Sequence, residues 1–154
     1  MSARSVAFGA LLFLSFLSAS ACGVGQKRSG LPPEAQAAIE GITSDLARGD
    51  YEKIYADAAE EWRRTSRADE SRANLERVRN TLGVVLSRAQ LGAQEREAGS
   101  SGGSGGDNAQ EGRTLVVSYN TKYERADAIE TFTLVERGGR WLLARYAVNS
   151  NALK

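Results

Sequence analysis

Histidine is absent from the 154 residues. That removes the commonest general base and the commonest metal ligand. Every Ser-His-Asp or Cys-His nucleophilic system goes with it. Cys22 is the only cysteine, so no disulfide framework forms within the chain and Cys/His zinc sites are excluded. Charge of one sign is lacking as well: 20 Lys plus Arg face 19 Asp plus Glu, for a net charge of +1. That balance leaves no electrostatic footprint for nucleic acid. No apolar run reaches the ~20 residues that span a bilayer. Carboxylates, tyrosines, lysines and hydroxyls remain for chemistry, and no cofactor or metal is expected.

The lone cysteine is placed informatively. Met1-Ser2-Ala3-Arg4 is a weakly positive start, and residues 6–17 (VAFGALLFLSFL) are an apolar run of signal-peptide length. Ser18-Ala19-Ser20-Ala21 then supplies small residues directly before Cys22. The pattern predicts a signal peptide over residues 1–21. It resembles a bacterial lipobox, in which the cysteine becomes the lipidated first residue of the mature chain. Ala19 stands where that motif usually has leucine. Ala19-Ser20-Ala21 is also an A-x-A site for ordinary signal peptidase, which would leave Cys22 a free thiol. Both readings cut after Ala21. An unpaired thiol in an oxidising compartment is a liability, which favours lipidation and an envelope protein anchored outside the cytoplasm. More than one acyl chain is what stable anchoring needs. Gly23, in place of aspartate, is compatible with an outer membrane where the host has one.

Residues 22–33 read as the lipidated cysteine and a tether, with glycines, Lys27-Arg28 and Pro32-Pro33 and no periodicity. The pattern then turns helical. Ala35, Ala38, Ile39, Ile42 and Leu46 form one stripe, and Gly49 is a natural stop. Asp50 is expected to cap a second helix carrying Tyr51, Ile54, Tyr55, Ala58 and Trp62 on one face. A third helix starts near Ser66 or Asp69, with Ala68, Ser71, Leu75, Val78 and Leu82 inward and Arg72, Arg77 and Arg79 outward. After Gly83 the period becomes that of strands, predicted at residues 84–91, 113–124, 128–136 and 140–148. Gly138-Gly139 marks a tight hairpin. Residues 92–112, with a Gly/Ser run at their centre, read as a long flexible hairpin loop. They lack the lysine and following helix of a phosphate-cradling loop. Helices followed by strands predict an α+β domain over residues 34–150.

Leu82-Gly83 with Ser87-Arg88, Thr121-Lys122-Tyr123, Glu130-Thr131 and Gly139-x-Trp141 with Tyr146 carry a resemblance. They resemble an exported bacterial domain-of-unknown-function family (4019). The order of elements resembles the nuclear-transport-factor-2-like cone fold, shared with ketosteroid isomerases. The resemblance implies three helices packed in a curved four-stranded antiparallel sheet that leaves a pocket. It assigns no activity. A short Pro-Asp-Gly-type hairpin of that family is replaced here by the Gly/Ser run, and Arg145 stands where a glycine is expected.

Glu130 shares a strand side with Phe132 and Leu134. If that side faces the helices, Glu130 is buried and needs a partner, for which Arg88 is the candidate. If it does not, both residues lie on a solvated face. Tyr51, Tyr55, Trp62, Tyr119 and Tyr146 either line a pocket or pack the core. The leading expectation is a non-catalytic binding or interaction domain, its partners being the membrane through Cys22 and a small apolar ligand or another envelope protein. The alternative is an enzyme of ketosteroid-isomerase type, with Glu130 or Asp57 as base and Tyr55, Tyr119 or Tyr146 as donors.

Overall fold

The computed structural model describes residues 30–97 and 112–154. Cys22, the predicted signal segment and the Gly/Ser run lie outside the described residues. Among them no helix is long and apolar enough to cross a membrane.

Helix α1 (Pro33–Arg48) begins with a proline in its first turn, where a missing N–H is harmless. It ends at Gly49, whose φ of 80° is left-handed. Ala35 and Ile39 of its stripe are buried. Helix α2 spans Tyr51–Asp57 and helix α3 spans Glu60–Thr65. The single second helix expected from the stripe is therefore two helices, and the α-helices among the described residues number four rather than three. The cause is tertiary. Ala58 and Ala59 are extended, with ψ of 158° each, and Ala59 N donates to Leu143 O at 2.9 Å. Two nearly inaccessible alanines let the backbone approach that strand. Asp50 heads α2 but makes no side-chain cap; its carboxylate accepts from Arg48 Nε at 2.7 Å.

Helix α4 (Ala68–Leu82) buries Ser71, Leu75 and Leu82. Ala68, expected inward, is exposed, while Arg79, expected outward, is half-buried. Gly83 follows with φ of 86° and ψ of −159°, a region open essentially to glycine alone. A Cβ there would also meet Glu124 Cβ at 2.9 Å.

Strands β1 (Val85–Glu97), β2 (Arg113–Tyr123), β3 (Asp127–Arg137) and β4 (Arg140–Asn149) form one antiparallel sheet in the order β1-β2-β3-β4. β1 runs six residues past the predicted end, so residues 92–97 are strand rather than loop. Their own β propensity is low. Pairing with β2 holds them, with Glu95 opposite Leu115 and Arg113 reaching Glu95 at 2.9 Å. Gly138 and Gly139, φ 57° and 75°, make the β3–β4 turn, as a two-residue hairpin of primed type requires. β4 passes through Arg145 unbroken. The pairing shifts by one residue there, from Thr133–Arg145 to Leu134–Leu143, so the irregularity falls on Ala144.

Alternation sends Leu115, Val117, Phe132 and Leu134 into the core under the helices, none more than 2% exposed. Trp62 packs with them, its indole N–H donating to Ser71 Oγ at 2.8 Å. A smaller cluster of Leu82, Tyr123 and Ala128 closes the end of the sheet where α4 joins β1. Glu130 is reached from both, by Tyr146 packed against the larger cluster and by Tyr123 of the smaller.

Candidate functional site

Arg88 on β1, Thr121 on β2 and Glu130 on β3 all point to the helix side. The register places Arg88 opposite Thr121, Thr121 opposite Ala128, and Ala128 two residues from Glu130. Glu130 is completely inaccessible and Arg88 keeps 21% of its side chain exposed. Arg88 Nε donates to Glu130 Oε2 at 2.5 Å and Nη2 donates to Oε1 at 3.2 Å. This is the two-point fork that makes arginine a strong carboxylate partner. Thr121 Oγ1 donates to Oε2 at 2.5 Å and Tyr123 Oη to Oε1 at 2.8 Å. The Tyr146 hydroxyl donates to Oε1 as well. Five donor contacts from three strands thus converge on one buried carboxylate.

Burial pushes the Glu130 carboxyl up, but Arg88, by hydrogen bond and charge, together with Thr121 and Tyr146, outweighs it and holds the group below the usual carboxylate range. Burial alone would lower Arg88; Glu130 more than reverses that. Burial raises the Tyr146 hydroxyl well above its ordinary value and the Glu130 charge adds to it; Tyr123 is raised for the same two reasons. Both phenols stay protonated and act as donors. The cluster is one cation and one anion with neutral hydroxyls, and its net charge is zero.

Above it, a cavity of about 200 Å³ lies between α1, α2, α4 and the start of β1. Its walls include Leu46, Leu75, Val78 and Val85, with Thr43, Tyr51, Arg79 and Arg88 as polar elements. Tyr123 and Tyr146 reach it from the cluster. No carboxylate lines it. A larger furrow of about 1080 Å³ follows the N-terminus of α1, but exposed Glu34, Glu95 and Arg96 line it. The smaller cavity is the better candidate, since it joins apolar walls to a few convergent polar groups.

The five aromatic candidates separate. Tyr51 and Tyr146 line the cavity. Tyr55 does not; its hydroxyl donates to Ser66 O at 3.1 Å and its ring packs on the core. Trp62 is core, with an edge on a separate groove beside α4. Tyr119 stacks edge-on against Phe132, 5.8 Å between ring centres, and borders a furrow that it shares with Arg88. Asp57 is exposed and bound to Lys53 at 2.8 Å, away from the cluster. Among the described residues no group of acidic side chains is placed to hold a metal.

Thr121 and Tyr123 of the cluster and Arg79 of the cavity wall were not named as site residues from the sequence. Thr121 and Tyr123 lie on the inward side of β2, so a strand register would have placed them beside Glu130. Arg79 had no such signal, because its role depends on where α1 ends.

The family model described as "Protein of unknown function (DUF4019)" matches residues 38–146. No curated protein matches the chain. The chain belongs to the DUF4019 family.

Proposed function

We propose that this DUF4019 member is an envelope lipoprotein, anchored through Cys22. On this reading its α+β domain is a cone-like, non-catalytic binding module that holds a small apolar ligand. The observation that carries the reading is the largely apolar cavity seated on a charge-neutral Arg88–Glu130 cluster. Typical ligand pockets hold ~300–1,000 Å³, so about 200 Å³ fits a small ligand or the end of a longer one. The lipobox-like segment before Cys22 supports the anchor, and Gly23 supports outer-membrane residence where there is one. The four-stranded antiparallel sheet with helices on one side supports the nuclear-transport-factor-2-like cone.

The state of Glu130 weighs against the ketosteroid-isomerase alternative. A general base works best with its pKa near the operating pH, whereas this carboxylate is held low and accepts five donor contacts. A protein partner is the second reading. It draws on Leu86 and Leu91, each 58% exposed, on the edge strand β1.

Native mass spectrometry of the protein extracted from its host in mild detergent tests the proposal. A small-molecule adduct is expected, together with acyl mass on Cys22. The adduct should disappear in Val78→Trp, which fills the cavity, while the melting transition persists. A bare thiol at residue 22 would remove the anchor. A co-purifying protein with no small adduct would replace the ligand reading with the partner reading.

A further inference from the structure

The charges around the cavity are unbalanced in a way that specifies the ligand. Two guanidiniums line it, Arg79 and Arg88, and no carboxylate does. Glu130 matches Arg88 one for one. Arg79 forms no ion pair among the described residues. It is fixed at the end of α1, where Nη1 donates to Ala47 O at 2.8 Å and Leu46 O at 3.2 Å. The C-terminal end of a helix carries only about half a negative charge, so part of the positive charge persists. Glu124 lies behind Gly83, but it is exposed and turned to Val84 N at 3.1 Å; an exposed charge is screened by solvent.

Hydrogen-bonding capacity is unbalanced in the same sense. Tyr51 lines the cavity, and its hydroxyl makes no hydrogen bond among the described residues. Arg88 uses Nε and Nη2 on Glu130 and leaves Nη1 without a partner there. Tyr123 and Tyr146 are committed as donors to Glu130. The guanidiniums of Arg79 and Arg88 can only donate, whereas the hydroxyls of Tyr51 and of Thr43, which donates to Glu40 O at 3.0 Å, can also accept; these groups are set in apolar walls made by Leu46, Leu75, Val78 and Val85. A ligand cation would meet like charge. A pure hydrocarbon would leave the donors unmatched, and unmatched donors discriminate strongly against the wrong ligand.

Resting on the ligand reading above, we propose that the cavity takes a small amphiphile with an anionic oxygen head, a carboxylate or a phosphate. The head sits at Arg79 and Tyr51, and the apolar body lies against Leu75 and Val85. A space of about 200 Å³ is the liquid volume of roughly seven waters. A chain of six to eight carbons is of the right order, and anything longer extends through the mouth.

The test uses the full chain carrying Cys22→Ser, so that no acyl group is added and no detergent competes. Octanoate, octyl phosphate, octanol and octylammonium are titrated in by calorimetry. At least one anionic probe should bind about tenfold or more tighter than octanol, as a charge-assisted hydrogen bond allows, and octylammonium should bind most weakly. Arg79→Gln should bring the anionic probe to the affinity of octanol while octanol binding is kept. Tyr51→Phe, which keeps the ring, should weaken the anionic probe several-fold. Octanol binding as tightly as both anions would overturn this inference and leave the ligand reading standing. Failure of all four probes to bind would overturn both.

Discussion

Arg88→Met should lower the unfolding free energy by about 3–5 kcal/mol, because it strands a buried charge. Glu130 has no exposed surface, so water cannot replace the guanidinium. Urea denaturation at neutral pH measures the loss. The reverse substitution should be milder. Glu130→Gln leaves Arg88 unpaired, but 21% of that side chain is exposed and can hydrate. The pH dependence gives a second reading. Glu130 is held below its ordinary value in the folded protein, so its contribution is present above the unfolded value of about 4.3. It is lost as the pH falls through the lowered folded value. In Arg88→Met the opposing cation is gone and burial dominates, which raises the folded value. Its contribution is then present at low pH and lost as the pH rises. The variant should recover part of its deficit on acidification toward about pH 4, where the wild type begins to weaken. A loss under about 1 kcal/mol, the level of an exposed pair, or a pH slope of unchanged sign, would contradict the account of the cluster.

Phe132→Ala should cost a similar amount, about 3–5 kcal/mol, for a different reason. The ring is fully inaccessible. It lies between Tyr119 and Tyr146, 5.8 Å and 5.0 Å from their ring centres. Removing it opens a void in a close-packed interior and frees Tyr146, whose hydroxyl helps to hold Glu130. Phe132→Leu restores much of the volume and should cost well under half as much. Thermal unfolding of the two variants checks the order; equal effects would mean that the ring is not the packing centre inferred for it.

These two sites show what can be read before a structure is known. The inward side of β3 was legible because a half-buried strand alternates with period two, which fixed Glu130, Phe132 and Leu134 on one face. Arg88 is a candidate partner from its place on β1, but alternation alone leaves open whether the pair faces the helices or solvent. Thr121 and Tyr123 needed the β2–β3 register as well, which comes from pairing rather than from composition. The break between α2 and α3 was not legible, because the stripe from Tyr51 to Trp62 is continuous and the interruption comes from Ala59 bonding to Leu143 in a distant strand. The outer half of β1 was hidden for a related reason: Gly92, Ala93 and Gln94 become strand through their partners on β2. The cavity belongs to no single segment. Its walls come from three helices and the sheet, and its charge balance emerges only once Arg79 meets the end of α1.

The most direct measurement is a pH titration of the Glu130 carboxyl carbon by isotope-edited nuclear magnetic resonance. The account predicts a midpoint below about pH 4.3, where an ordinary glutamate is half protonated. That is the behaviour of an anion held by Arg88 and three hydroxyls as the base of a binding cavity. A midpoint at about pH 6 or above, in the range to which enzymes tune a catalytic glutamate, would contradict it and make Glu130 a base.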